Sequence, residues 1–68
     1  MSKKDWHTAD IKAEIEKRGS NLSELSLSNN LSSRTLGNAL RVPYPKAQKI
    51  IADFIGVKPE DIWPSRYE

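Results

Sequence analysis

The chain has 68 residues, a formal net charge of +2, 37% hydrophobic residues and no cysteine. A chain this short predicts one domain, in which folding buries only roughly 60% of the surface that the unfolded chain exposes. Without cysteine, neither a disulfide nor a cysteine-ligated zinc ion can stabilise it. An enclosed substrate pocket is hard to build from so small a core, and no apolar run is long enough to cross a membrane. We predict a single domain over residues 1–68, with residues 1–5 flexible.

The first predicted helix runs from about Ala9 to Arg18. Thr8 is predicted to cap it through the hydroxyl oxygen, and Ile11 and Ile15 share its apolar face. Gly19 is the expected end, because glycine suits the left-handed conformation that follows many helices.

The second predicted helix begins after Ser20 or Asn21, which are both good capping residues. Leu22 and Leu25 give it an apolar edge at helical spacing. It is expected to end at Asn29–Asn30, because asparagine tolerates the left-handed conformation better than most residues.

Ser32 is predicted to cap a short third helix with Leu36, Ala39 and Leu40 on its inward face. Its outward face carries Ser33, Arg34, Gly37, Asn38 and Arg41. Val42–Pro43–Tyr44–Pro45 breaks the helix, since each proline restricts the residue before it.

The fourth predicted helix starts near Pro45 and ends at Gly56. Its apolar stripe follows the helical template at Ala47, Ile50, Ile51, Phe54 and Ile55. Pro59–Trp63 forms a last helical turn before Pro64. Strand signals are absent, so the sequence predicts an all-α, compact bundle of five helices.

The second and third helices, joined by a tight turn, form a predicted helix-turn-helix, which can place its second helix in a major groove. Arg34 can bind guanine O6 and N7, and Asn38 can bind adenine N6 and N7. They are four residues apart and therefore project from one face. Ser26 is a small residue where the two helices must approach closely.

Several other residues are candidates for close approach to DNA. Ser32 and Ser33 are short enough for the helix start to approach bases or phosphates. Gly37 costs about 1 kcal/mol relative to alanine inside a helix, which close approach of DNA would offset; the alternative is that Gly37 clears space for a neighbouring helix. Backbone contacts are predicted for Arg41, Tyr44, Lys46 and Lys49, with a Lys3–Lys4 arm as a further candidate. For each lysine, the alternative is a solvated surface position.

The chain is similar to the Ner family of small phage and bacterial DNA-binding regulators, over nearly its whole length. The resemblance rests on DWH at residues 5–7, on LSSxTLxNAL at 31–40 and above all on IWPSRY at 62–67. It implies a lambda-repressor-like fold and binding to operator DNA. Members of this family repress early transcription in transposable phages, and chromosomal relatives are linked to the control of sugar-utilisation genes.

Carried over by position, the recognition helix is Ser32–Leu40, and Ser33, Arg34 and Asn38 are the candidate base readers. The chain departs from the family at Asn30, where glycine is frequent, at Gly37, where alanine is expected, and at Leu27, where a polar residue is expected. Leu27 is predicted to be partly exposed, either as a self-association contact or as a surface leucine without a role.

The expected partner is double-stranded operator DNA, with no cofactor, metal, membrane or small-molecule ligand. We expect a cytoplasmic, nucleoid-associated monomer that can pair on DNA. An enzyme is not expected, because the single histidine, His7, has no organised acidic pair and the three glycines are scattered. A helical protein-interaction module without DNA binding is the remaining alternative. Arg66 has two interpretations, a phosphate contact or a part of the C-terminal segment in which Trp63 and Tyr67 cover the core.

Overall fold

The computed structural model describes residues 4–67, so Lys3 of the predicted arm lies outside the described residues. The helices are α1 (Thr8–Lys17), α2 (Leu22–Ser28), α3 (Thr35–Ala39), α4 (Pro45–Ile55) and α5 (Pro59–Ile62), followed by a 3₁₀ turn at Pro64–Arg66. No strand occurs between residues 4 and 67. The all-helical prediction is confirmed.

The core is formed around α4, which contacts α1, α3 and α5. Pro45 starts this helix and Gly56 ends it in the left-handed conformation, at φ 92°. Of the predicted apolar stripe, Ala47, Ile51 and Ile55 are buried, and Ile50 and Phe54 are partly buried against the core. The other buried apolar side chains are Ile11, Ile15, Leu25, Leu36, Ala39, Ala52, Ile62 and Trp63.

Helix α1 begins one residue earlier than predicted. His7, with extended backbone at ψ 145°, occupies the capping position and makes no side-chain capping bond. Thr8 is therefore the first residue inside the helix, and the prediction that its hydroxyl caps α1 is wrong. The predicted end is correct, because Gly19 has a φ of 82° and follows the last turn directly.

The turn between α2 and α3 begins where α2 ends, with one residue in the left-handed conformation and two backbone hydrogen bonds that close the helix end. Asn30 has a φ of 61°, its N–H donates to the Leu27 carbonyl at 3.1 Å, and the Leu31 N–H donates to the Ser26 carbonyl at 3.0 Å. This pair of bonds defines a Schellman motif, which normally favours glycine at the left-handed position. Asn30 takes that position as predicted.

Ser26 joins α2 to α3 through its hydroxyl group. The side chain is completely buried; Oγ donates to the Leu22 carbonyl at 2.8 Å and accepts from the Leu36 N–H at 3.2 Å. The N–H groups of the first helical turn have no acceptor within their own helix. Ser26 is thus more than the small residue predicted at this close approach, because it also supplies an acceptor for the start of α3.

Helix α3 is shorter than the predicted Ser32–Leu40. The Ser32 hydroxyl accepts from the Arg34 N–H at 3.4 Å and lies 3.2 Å from Thr35 Oγ1. The Thr35 N–H also donates to the Ser32 carbonyl at 3.1 Å. Short polar side chains often bond neighbouring backbone in this way and hold a turn instead of a helix. Ser32 and Ser33 consequently lie in the turn before α3, and Arg34 occupies its capping position.

The two ends of the described chain are held together. The Trp6 N–H donates to the Ile62 carbonyl at 2.9 Å. The Asp5 carboxylate accepts from both the N–H and the hydroxyl of Ser65. The Ser65 hydroxyl and N–H donors lower the pKa of the Asp5 carboxyl. These bonds attach Asp5 to the C-terminal segment, whereas residues 1–3 of the segment predicted to be flexible lie outside the described residues.

Candidate nucleic-acid interface

Helix α3 presents one buried and one exposed face. Leu36 and Ala39 have no solvent exposure, and both belong to the core. Arg34 and Asn38 are exposed, because they lie on the side of the helix turned away from these two apolar residues. The structure thus brings together, facing outward, the two side chains predicted to read bases.

Ser33 and Gly37 border the same exposed face. Ser33 is exposed and Gly37 is half-buried. A Cβ atom placed on Gly37 would have no atom of another helix within 4 Å. The alternative that Gly37 clears space for a neighbouring helix is therefore wrong.

Beyond α3, the predicted backbone-contact residues lie in the segment that leads to α4 and in α4 itself. Arg41 is exposed, and its Nη2 donates to Asn38 Oδ1 at 3.3 Å. Tyr44, Lys46 and Lys49 are exposed as well, in the segment before α4 and in its first turns. The four predicted backbone-contact residues after α3 are therefore all exposed, as are Ser33, Arg34 and Asn38.

The distribution of charge along the chain favours DNA binding by this part of the molecule. Residues 25–52 contain four basic residues and no acidic residue, whereas the rest of the chain contains seven basic and nine acidic residues. Among residues 4–67, the ion pairs are those of Glu14 with Lys17 and Arg18, which lower the pKa of the Glu14 carboxyl. None of the four basic residues between 25 and 52 is thus neutralised by a carboxylate in the described chain. The acid-free stretch is visible in the sequence, although our prediction did not use it.

A buried glutamine in α4, which the sequence did not single out, holds the segment before α4 in place. Gln48 is 2% exposed. Its Oε1 accepts from the Tyr44 N–H at 2.8 Å and from Arg66 Nη1 at 2.9 Å, and its Nε2 donates to the Tyr67 hydroxyl at 2.8 Å. Gln48 thereby connects the segment before α4 with the C-terminal segment.

Arg66 holds the C-terminal end of α3. Its Nη1 donates to the Ala39 carbonyl at 2.7 Å and its Nη2 to the Leu40 carbonyl at 3.4 Å. The guanidinium also lies 5.1 Å from the centre of the Trp63 ring. These inward contacts contradict the interpretation of Arg66 as a phosphate ligand. Trp63 is buried in the core as predicted, whereas Tyr67 is 45% exposed and joins the structure through its hydroxyl.

Between residues 4 and 67, no helix is both long and apolar enough to cross a membrane. Over the same residues, no group of three or more His, Cys, Asp or Glu side chains is arranged to hold a metal ion.

In this chain a tight turn joins a short helix to the helix before it, and the short helix and its capping position expose asparagine and arginine among basic side chains. This arrangement defines a helix-turn-helix DNA-binding protein. Residues 5–68 match a family described as winged helix-turn-helix DNA-binding. In residues 4–67 no strand is present to form a β-wing.

Known proteins agree with this classification over most of the chain. The sequence is 62% identical to the negative regulator of transcription of Escherichia phage D108, over 97% of this chain and 90% of that protein. It is 52% identical to sugar fermentation stimulation protein B of Escherichia coli K12, over 93% of this chain and 68% of that protein. The NMR solution structure of the Mu Ner protein superimposes with a TM-score of 0.80 at 48% identity, covering 94% of this chain and 86% of that one. The chain belongs to the Ner family of helix-turn-helix DNA-binding proteins, as its sequence indicated.

Proposed function

We propose that this protein is a sequence-specific repressor of transcription that binds operator DNA in the major groove through α3 and the turn before it. The observation that carries the proposal is the exposure of Asn38 on α3 and of Arg34 at its capping position, whereas Leu36 and Ala39 on the opposite side of α3 are completely buried. Repression is supported by the relative in phage D108, which is named a negative regulator of transcription.

Three side chains are proposed to read bases. Arg34 and Ser33 do so from the turn before α3, and Asn38 from the helix itself. The bond from Arg41 to Asn38 Oδ1 orients the Asn38 amide. An amide oxygen has two lone pairs, so Asn38 can still accept from adenine N6 while its Nδ2 donates to N7.

The remaining candidate residues are proposed to contact the sugar-phosphate backbone or to permit its close approach. They are Ser32, Gly37, Arg41, Tyr44, Lys46 and Lys49. Backbone contacts of this kind set the affinity and the register of the protein on the duplex, whereas base contacts set its sequence preference. We propose that the protein acts without a cofactor in the cytoplasm, on nucleoid DNA, as a monomer that can pair on neighbouring sites.

The test combines selection of bound sites from a random oligonucleotide pool with salt titration on the selected duplex. We expect an enriched site, with log affinity falling linearly in log salt by about 0.9 per phosphate neutralised. The spacing of repeated half-sites would show whether two copies bind. Failure to enrich any sequence, together with no binding of duplex DNA at low salt, would refute the proposal in favour of a protein-interaction module.

Replacing Gly37 by alanine is expected to raise the stability of the fold and to lower the affinity for DNA. The added methyl group contacts no other helix, and alanine is favoured over glycine by about 1 kcal/mol inside a helix. The free energy of unfolding in urea should therefore rise by up to about that amount, while affinity for the selected duplex falls because the methyl group faces the DNA. An unchanged affinity would show that the duplex does not come close to Gly37.

A further inference from the structure

Two shallow clefts lie beside α3, and a lysine of α1 borders both. The first, with a volume of about 520 Å³, includes Ser33 and Gly37 on the α3 side. The second, of about 350 Å³, includes Arg34, Gly37 and Asn38. Lys12 lines each of them. The candidate base readers therefore share their immediate surroundings with a basic side chain from another helix.

The charge of Lys12 is available for a ligand. Lys12 is exposed and forms no ion pair among residues 4–67, where the ion pairs join Glu14 to Lys17 and Arg18. Lysine carries its ammonium group on a flexible four-carbon chain, so the group can reach beyond the rim of both clefts. On α1, Lys12 thus differs from Lys17, whose ammonium already contacts a carboxylate on the same helix.

We propose that Lys12 binds a DNA phosphate beside the bases read from α3, so that α1 forms part of the DNA interface. This inference rests on the proposed function. Lys12 flanks the base-reading side chains but lies on a different helix, which is the arrangement expected for a contact to the backbone next to an occupied groove. Glu16, one helical turn further along α1, lines the first cleft; its carboxylate repels the phosphates there and limits the interface on that side.

The test compares Lys12→Gln with Lys17→Gln on the selected duplex and on a scrambled one. Both changes lower the net charge by one on the same helix, and glutamine is about as good a helix former as lysine. Lys17 borders a separate hollow with Trp6, Asp10, Ala13 and Glu14. We expect Lys12→Gln to reduce the slope of log affinity against log salt by about 0.9 and to weaken both duplexes by the same factor. Lys17→Gln should leave the slope unchanged.

Glu16→Gln supplies a test of opposite sign, since removing the carboxylate should strengthen binding to both duplexes. Equal slopes for the Lys12 and Lys17 variants would overturn the inference, because the effect would then reflect net charge alone. An unchanged slope for Lys12→Gln would overturn it as well. In either case the unmodified protein would still bind DNA, which distinguishes these failures from a failure of the proposed function. Thermal unfolding of each variant checks that these exposed substitutions leave the fold intact.

Discussion

Arg34→Ala and Asn38→Ala are each expected to lose about 1–3 kcal/mol of discrimination at one base pair, a factor of about 5–150 in relative affinity. Both side chains are exposed on the side of α3 opposite its buried leucine and alanine. Loss of a bidentate contact removes the preference for one base but leaves the phosphate contacts in place. The measurement is the affinity of each variant for the selected duplex and for a panel in which every position is replaced in turn.

Lys49→Ala is the control for this experiment. Lys49 is exposed on α4, and its proposed contact is to the backbone, so its removal should weaken all duplexes alike. If Arg34→Ala behaves like Lys49→Ala, with the same preference at every position, then Arg34 does not read a base.

Arg66→Ala is expected to lower the free energy of unfolding by about 2–4 kcal/mol, from the loss of charged hydrogen bonds and of the contact with an aromatic ring. The guanidinium donates to the carbonyls of Ala39 and Leu40 and to the buried side chain of Gln48. In a small domain the total stability is itself only about 5–15 kcal/mol, so the loss should be plain in a urea titration followed by circular dichroism.

Arg18→Ala provides the matched control, because Arg18 pairs with Glu14 at the surface of α1. Exposed pairs of this kind contribute about 0.2–1 kcal/mol. Arg66→Lys should recover only part of the stability, since one ammonium group cannot reproduce the planar fork that serves several acceptors. Equal losses for Arg66→Ala and Arg18→Ala would contradict the role assigned to the Arg66 contacts.

The parts of the fold that depend on local chemistry could be predicted from the sequence. Helix α4 has a regular apolar stripe between a proline and a glycine, and its observed bounds, Pro45–Ile55, match the prediction. Asn30 was identified by its tolerance of positive φ, and the observed value is 61°. In both cases the residue types alone restrict the backbone enough to decide the structure.

Other parts depend on competing or distant interactions. Ser32 is as good a residue for a turn as for a helix cap, and its bonds to Arg34 and Thr35 hold the turn, so α3 starts later than predicted. The contacts of Arg66 with Gln48 and Ala39 join residues 18 and 27 positions apart. No helical periodicity reports such contacts, and a glutamine in α4 resembles a surface residue until the tertiary structure buries it.

In the candidate interface, too, some positions follow from local sequence and others depend on tertiary structure. The outward positions of Arg34 and Asn38 followed from the inward leucine and alanine of their own helix. The position of Lys12 beside them depends on how α1 lies relative to α3, which the sequence of either helix leaves open.

The separation of charge along the chain has a kinetic consequence. Residues 25–52 carry only positive charge, whereas acidic residues outnumber basic ones elsewhere, and we expect this uneven distribution to give the molecule an electric dipole moment. In the field of a duplex it should rotate its basic side toward the DNA before contact, which raises the association rate. At physiological salt the screening length is about 8 Å, so this torque acts only over the final nanometre of diffusion. Acidic substitutions that reverse the dipole should slow the association of the protein with DNA without altering the preferred operator.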